Sequence, residues 1–380
     1  MGYRWFPLFV AGLVALIAGC GEETAEGRSQ SGTDSLRSRI VTDAMGREVE
    51  VPADVERVIC SGPGCLRLLC YLQATDRVVA VDDMEGRRRR FDARPYAMAN
   101  PRLAQLPVFG EFRGHDNPEL IVALDPPPQV IFKTYPEMGM DPLELERKTG
   151  IPVVVLDYGN LTGSRRPALY QSLRTMGIVL GRGQRAEEVI DFLNATIADL
   201  EARTADLPDS QRVDCYVGGI AYRGPHGFQS TEPGYPPLSL AGAHNLASVA
   251  GEEGQEHADV AKEQLVAWDP QVLFVDASTL QSDPQASAVW QLRNDPAYAN
   301  LSAPARGEVY GLLPYNWYTK NFGSILADAY FVGVVLYPER FNDVDPAQMA
   351  DSIYTFLVGE PVFEELSSAF EDAVFRRMEI

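Results

Sequence analysis

One amphipathic stretch, residues 184–204, constrains the fold of this chain more than any other feature. Its apolar residues recur every three or four positions, which is the period of one face of an α-helix; they are Ala186, Val189, Ile190, Leu193, Ile197 and Leu200. Gly181 and Gly183 precede the stretch and Pro208 follows it, as is typical at helix ends. A helix of this length spans about 31 Å.

Two similar segments lie on either side of this helix. Residues 117–132 (NPELIVALDPPPQVIF) and 261–275 (AKEQLVAWDPQVLFV) both contain Glu, two residues, Val-Ala, an apolar residue and Asp-Pro, followed by an apolar run. Strand and helix patterns alternate elsewhere, which predicts parallel strands with helical crossovers. The predicted fold is therefore α/β: two Rossmann-like lobes joined by one long rigid helix.

Length and charge set the organisation and exclude some partners. The 380 residues fit two lobes better than a single core. We predict a signal peptide at 1–19, a flexible tether at 20–39, an N-terminal lobe at 40–183, the connecting helix at 184–204 and a C-terminal lobe at 205–380. Lysine and arginine number 33 against 53 acidic residues, a net charge of −20, which argues against nucleic acid and anionic lipid as partners.

The N-terminus carries a targeting signal. Arg4 precedes an apolar run, residues 6–17, that is too short to span a membrane. It ends Leu-Ile-Ala-Gly-Cys, which resembles a bacterial lipoprotein signal in which Cys20 becomes the lipidated first residue. The alternative is an ordinary signal peptide in which Cys20 occurs by chance.

The other local patterns predict a series of elements. A hairpin is expected at 40–51, and strands at 57–60, 78–81, 130–132, 153–156, 212–217, 272–275 and 308–312. Helices are expected at 65–72, 118–124, 142–149, 167–180, 236–246, 324–336, 346–356 and 361–377.

Cysteines and arginines leave alternatives open. Cys60, Cys65, Cys70 and Cys215 fit buried apolar thiols, a disulfide or a thiolate ligand, although their spacing matches no zinc pattern. Residues 85–113 hold Arg87, Arg88, Arg89, Arg90, Arg94, Arg102 and Arg113 against Glu85, Asp92 and Glu111. This basic stretch is either a solvated face or a wall that recognises an anionic ligand.

No catalytic or metal-binding pattern is present in the sequence. The four histidines form no pair at helical spacing, and no nucleophile elbow occurs. We therefore expect no catalytic residues, no resident metal and no cofactor.

The phrases TDAMGREVEVP, NPELIVALDPPPQVI, AYRGPHG, GLLPYNWYTKNFGSILADAYFVGVVLYPERF and YTFLVGEPVF carry a family resemblance. From about residue 40 to the C-terminus, the chain resembles the substrate-binding proteins of ABC importers for iron-siderophores, haem and cobalamin, in the branch usually labelled iron-complex binding. The resemblance implies a monomeric, lipid-anchored receptor facing the periplasm or cell exterior. It would capture an iron chelate or a related metal complex or tetrapyrrole, deliver it to a dimeric ABC permease and catalyse nothing.

Two other functions remain open beside this one, namely a receptor for free metal ions and a lipid-anchored surface enzyme acting on metal chelates.

In the family, an exposed glutamate on each lobe docks onto the permease, and Glu119 and Glu263 occupy the matching positions. Both residues also suit the first turn of a helix, where a carboxylate meets the helix dipole.

The resemblance also implies a ligand cleft between the lobes and the residues that line it. They are the loop residues Ser61, Gly62 and Gly64, together with Tyr135, Tyr158, Tyr222, Arg223, His226, Tyr315, Trp317 and Tyr318. Aromatic rings there would stack on a planar ligand, and arginines, Arg87 included, would pair with its negative groups. Each tyrosine could instead be a packing residue.

Overall fold

The computed structural model describes residues 38–87, 90–251 and 255–380. Its strands are β1 Ser38–Thr42, β2 Glu48–Pro52, β3 Val58–Ser61, β4 Val81–Asp82, β5 Val108–Glu111, β6 His115–Asp116, β7 Val130–Thr134, β8 Val153–Leu156, β9 Asp214–Gly218, β10 Ser230–Thr231, β11 His244–Asn245, β12 Ala258–Asp259, β13 Val272–Asp276 and β14 Val309–Leu312. Its α-helices are α1 Cys65–Tyr71, α2 Asp83–Gly86, α3 Pro95–Ala99, α4 Pro118–Val122, α5 Pro142–Thr149, α6 Arg166–Val179, α7 Gly183–Thr204, α8 Pro236–Leu240, α9 Lys262–Trp268, α10 Ala288–Asn294, α11 Ser302–Arg306, α12 Phe322–Leu336, α13 Pro346–Val358 and α14 Phe363–Ala369. Short 3₁₀ segments are Thr75–Arg77, Pro101–Gln105, Gly163–Arg165, Asp209–Gln211, Leu246–Ala250, Ala277–Gln281, Pro284–Ala286 and Pro296–Tyr298.

The elements before α7 form the N-terminal lobe around a parallel sheet in the order β3-β7-β8. Every residue of these strands is buried. Phe132 and Val154 belong to one core cluster and Ile131 and Val153 to another, so both faces of the sheet are covered. This is the expected arrangement of parallel strands, and it explains their continuous apolar runs.

The elements after α7 form the C-terminal lobe around a parallel sheet in the order β11-β9-β13-β14. Strand β13 of this sheet separates two cores, because Phe274 belongs to one cluster while Leu273 and Val275 belong to the other. Two parallel α/β sheets confirm the fold class predicted from the sequence.

The long helix α7 packs on α6 of the N-terminal lobe and on α8 and α12 beyond it. Its buried stripe matches the apolar period read from the sequence, with Thr196 and Thr204 added to the predicted positions. The closing helices α13 and α14 contact α1 and α3 of the N-terminal lobe. The two lobes are therefore joined by α7 and also by the C-terminal helices.

Two predicted helices are shorter than expected. The predicted helix at 236–246 ends at Leu240 because Gly242 adopts a left-handed φ of 70°, after which His244 and Asn245 pair with β9. The predicted helix at 361–377 ends at Ala369. Beyond it the chain runs beside β14, where the Gly311 amide donates to the Arg376 carbonyl.

Cys60, Cys65, Cys70 and Cys215 are free and buried, which agrees with the interpretation as apolar thiols.

In the described parts of the chain, no helix has both the length and the apolarity needed to cross a membrane.

Candidate functional site

Both lobes contribute to a cleft of about 1140 Å³. Its N-terminal wall includes Tyr135, Pro136, Glu137, Asp157, Tyr158, Asn160 and Arg165, and its C-terminal wall includes Glu232, Gly234, Pro236, Ser239, Gln255, Glu256 and Lys320. The N-terminal residues follow β7 and β8 directly. The cleft therefore lies at the carboxyl ends of parallel strands, where α/β proteins commonly bind ligands.

Two tyrosines form the aromatic part of the cleft. Tyr135 follows β7 with a left-handed φ of 50°, and its hydroxyl lies 2.8 Å from the Thr319 hydroxyl. The Tyr158 ring stacks on Tyr135 at 6.1 Å and on Phe322 at 5.0 Å between ring centroids. Tyr158 is almost fully buried, so Tyr135 offers the more accessible ring.

Arg67 of α1 fixes the loop that contributes Lys320 to the C-terminal wall. Its side chain is buried and donates to the carbonyls of Lys320 at 2.7 Å and Trp317 at 3.0 Å. It also donates to the Tyr158 hydroxyl at 2.5 Å, and that hydroxyl in turn donates to the Lys320 carbonyl at 2.6 Å. This network ties α1 and the N-terminal wall to the backbone of Lys320.

The loop between β3 and α1 packs against Tyr158 of the cleft wall. Gly62 and Gly64 have left-handed φ angles of 85° and 75°. A Cβ on Gly64 would lie 2.2 Å from a carbon of the Tyr158 ring. The Ser61 hydroxyl is buried and accepts from Lys133 Nζ at 3.0 Å. Of these predicted ligand residues, Gly64 packs against Tyr158, whereas Gly62 lies against Thr134. None of the three is among the residues of the cleft wall.

Each wall of the cleft carries an ion pair. Lys320 Nζ lies 2.7 Å from Glu256 Oε1, and Arg165 Nη2 lies 2.5 Å from Asp157 Oδ1. Glu232 adds a buried carboxyl group to the C-terminal wall, where it accepts a hydrogen bond from the Tyr315 hydroxyl. Burial raises the pKa of Glu232 to about 7, while the charge of Lys320 opposes this rise.

Tyr222, Arg223 and His226 form a separate cluster on the C-terminal lobe. The Tyr222 ring stacks on His257 at 4.6 Å, and the Arg223 guanidinium lies over Tyr222 at 5.3 Å. His226 Nε2 lies 2.6 Å from the Tyr222 carbonyl. These residues are at least partly exposed but do not line the cleft.

The aromatic residues of the loop before α12 are largely engaged within the protein. Tyr315 is buried and packs on Tyr235, while the Trp317 ring makes an edge contact with Phe370. The Tyr318 hydroxyl donates to the Asp82 carboxylate. None of these rings lines the cleft, although the same loop contributes Lys320 to it.

Three arginines in the described part of the arginine-rich stretch, namely Arg87, Arg90 and Arg94, are paired with acidic groups. Arg87 contacts Asp83 and lies over the Phe112 ring, and Arg90 contacts Glu371. Arg94 is buried between Glu85 and Asp92. Arg88 and Arg89 lie outside the described residues, so the choice between a solvated face and an anion-binding wall stays a prediction.

Glu119 and Glu263 are exposed in the first turns of α4 and α9. Both positions suit a helix-dipole role and leave the carboxylates accessible to a partner. Docking by these residues stays a prediction. The lipidation residue Cys20 lies outside the described residues.

Sequence reasoning missed Lys320, Glu256, Glu232, Asn160 and Arg67. The family resemblance points to Tyr315, Trp317 and Tyr318 of the loop before α12 but not to Lys320 of the same loop. A possible signal was the rarity of lysine, since the chain contains four: Lys133, Lys148, Lys262 and Lys320. The described ranges contain no cluster of three or more His, Cys, Asp or Glu side chains suited to a metal ion.

Comparison with known proteins identifies the family of this chain. Residues 58–315, more than half of the chain, match the periplasmic binding protein family. The molybdate-binding protein MolA of Haemophilus influenzae is 26% identical over 345 residues, covering 84% of this chain and 91% of MolA.

Solved structures share the fold. MolA bound to molybdate superposes with a TM-score of 0.62 at 22% identity, over 84% of this chain and 98% of that one. A periplasmic solute-binding protein from Veillonella parvula gives 0.67 at 16% identity, over 89% and 98%. A periplasmic haem-binding protein from Pseudomonas aeruginosa gives 0.52 at 21% identity, over 75% and 93%. The chain therefore belongs to the periplasmic binding protein family, whose members are exported substrate-binding proteins of ABC importers and not enzymes.

Proposed function

We propose that this protein captures an anionic, metal-containing ligand in the cleft between its lobes and delivers it to an ABC permease. The observation that carries the proposal is the meeting of Tyr135, Asn160 and Lys320 across the cleft. A tyrosine hydroxyl, an amide and an ammonium group can each donate to the oxygen atoms of such a ligand.

An organic metal chelate is the first candidate, as the family resemblance implies. The cleft volume of about 1140 Å³ is at the upper end for small-molecule sites and would hold a ligand of siderophore or tetrapyrrole size. The partly exposed Tyr135 ring offers a stacking surface to a planar or catecholate ligand. The likeness to a haem-binding protein supports only the capacity of this fold for large ligands.

Molybdate is the second candidate, because the relative MolA is named for binding it. A tetrahedral oxyanion needs few but well-placed donors. Lys320 Nζ donates to Asn160 Oδ1 at 3.4 Å across the cleft, so the ammonium group and the Asn160 amide group lie side by side. A bare metal cation has less support, since no cluster of metal-ligating side chains occurs in the described ranges.

The proposal includes the attachments that the sequence predicts. Cys20 would carry the lipid anchor, and residues 20–39 would act as the tether. Glu119 and Glu263 would dock onto the two halves of the permease, because exposed carboxylates on a rigid body can pair with two positive points and fix its orientation.

Native mass spectrometry of the protein purified from its own source tests the ligand class. A bound chelate, a molybdate ion and a bare metal ion add different masses to the same chain. We expect a non-covalent mass that contains a metal and is lost on denaturation. An added mass without any metal would contradict the proposal.

A further inference from the structure

Lys320 is a nearly buried cation that faces the ligand cleft. Its side chain is 8% exposed, and Nζ contacts Glu256 Oε1 at 2.7 Å. Its backbone is held by Arg67 and the Tyr158 hydroxyl, so the position of the ammonium group does not depend on Glu256 alone. Because an ammonium group in this environment has already lost most of its water, it interacts strongly with any anion that reaches it.

Lys320 and Lys133 are both deeply buried and both contact a carboxylate, but the two carboxylates differ in their exposure to solvent. Lys133 Nζ contacts Asp116 at 2.8 Å, and both of these side chains are fully buried. Ser61 Oγ also accepts from Lys133 Nζ, at 3.0 Å. Glu256, by contrast, has a side chain that is 55% exposed. The carboxylate of Glu256 can therefore leave Lys320 for water, whereas Asp116 would have to leave the protein interior to do the same.

We infer that Glu256 is an internal counter-ion, which occupies Lys320 in the ligand-free protein and is displaced when an anionic ligand binds. The inference rests on the proposed function and names a residue that sets its specificity. A ligand must outcompete a carboxylate that is already in place. An anion that makes few other contacts is rejected, while a metal-containing anion that also reaches Tyr135 and Asn160 is retained.

If the ligand displaces Glu256, removing this carboxylate should affect ligand affinity in the opposite direction to removing a residue that contacts the ligand. Removing the charge of Glu256 should strengthen ligand binding, because the ligand no longer competes with a carboxylate for Lys320. The matched control is Glu137, which is exposed and lines the same cleft but has no ion-pair partner among the described residues. Glu137→Gln removes the same charge from the same cleft without releasing Lys320.

The test is isothermal titration of wild type, Glu256→Gln and Glu137→Gln with sodium molybdate and, separately, with a ferric tricatecholate complex. We expect Glu256→Gln to bind the recognised complex about fivefold more tightly. Any tightening by Glu137→Gln should be clearly smaller, because that variant removes the same charge from the cleft without freeing Lys320. The two titrants distinguish an oxyanion from an anionic chelate. Thermal melting of each variant confirms that it is folded.

The possible outcomes separate this inference from the proposed function. Tighter binding by Glu256→Gln alone, or binding by that variant only, supports the inference. Equal tightening in both variants would show a general charge effect and overturn it, and weaker binding by Glu256→Gln would make Glu256 a direct contact. An unchanged affinity with wild-type binding intact would overturn the inference alone. No binding of either complex by any of the three proteins would overturn the proposed function with it.

Discussion

At the scale of single residues, Gly64 allows the Tyr158 ring to pack directly against the loop between β3 and α1. Its φ of 75° is left-handed, and a Cβ added there would lie only 2.2 Å from the Tyr158 ring, so there is no space for a side chain. We expect Gly64→Ala to lower the free energy of unfolding by at least about 3 kcal/mol, since backbone strain and overpacking add. Urea denaturation measures this change.

The control for Gly64 is Gly150, which ends α5 with a φ of 68° and has open space around its Cα. Gly150→Ala carries the backbone strain alone, so we expect a loss of about 1 kcal/mol and unchanged ligand affinity. Equal losses in the two variants would show that the contact with Tyr158 has no energetic weight.

Glu232 gives the protein a testable pH dependence. Burial raises its pKa from 4.5 to about 7, so the folded protein holds a proton that the unfolded chain has released between these values. Stability from this group is therefore complete below pH 4.5 and is lost as the pH rises through about 7.

Glu232→Gln has no such proton to lose. We expect the stability of wild type relative to this variant to fall by about 3 kcal/mol between pH 4.5 and pH 8, measured by urea denaturation. Burial also raises the pKa values of Asp82 and Asp276 to about 7, but these groups are present in both proteins and cancel in the comparison. Parallel stability curves for the two proteins would refute a buried, protonated Glu232.

At the scale of elements, the loop between β14 and α12 depends on α1 through Arg67. Arg67→Met removes one donor from each of the carbonyls of Trp317 and Lys320. The Lys320 carbonyl keeps the Tyr158 hydroxyl as a donor. We expect a loss of about 3 kcal/mol in the free energy of unfolding, because several hydrogen bonds of a buried charged group are lost together. We also expect weaker ligand binding, because Lys320 loses its fixed position.

Arg77 provides the control for Arg67. Its guanidinium donates to the carbonyls of Val55 at 2.8 Å and Leu180 at 2.6 Å, and it does not line the cleft. Arg77→Met should lower stability while leaving the affinity of the folded protein unchanged. If Arg67→Met and Arg77→Met affect affinity equally, the Arg67 network has no particular role at the cleft.

Elements were predictable from the sequence where local signals agreed. Strand β8 and helix α5 have the predicted bounds, because an apolar run and flanking Pro and Gly residues define them. The final helix was predicted too long because Phe370 and Val374 continue a helical period. Both are buried by tertiary packing outside any helix, which a local pattern does not reveal.

The site was predictable only in part, for a related reason. The family resemblance pointed to Tyr135 and Tyr158, and both lie on the cleft wall. Lys320 and Glu256 are separated by 64 positions in the sequence and meet only through the fold. Their pairing carries no short-range pattern, so no inspection of spacing would find it.

At the scale of the whole molecule, the proposed docking to a permease would use one carboxylate from each lobe. The exposed carboxylates Glu119 and Glu263 lie on α4 and α9, on either side of α7 in the chain. We expect Glu119→Arg combined with Glu263→Arg to abolish uptake in reconstituted vesicles while leaving folding and ligand affinity nearly intact, because complementary charges orient two partners. Normal transport by the double variant would exclude docking by these residues, and lost ligand binding would place them at the cleft.

The central claim is that the metal-containing ligand sits between the lobes. The most direct measurement is a crystal structure of the protein grown with sodium molybdate, and another grown with the ferric tricatecholate complex, each with anomalous diffraction recorded at the metal's absorption edge. We expect a metal peak in the cleft between Tyr135 and Lys320, with Glu256 moved away from Lys320. A metal peak on another surface, such as the Tyr222 and His257 cluster, with no metal in the cleft would contradict the claim.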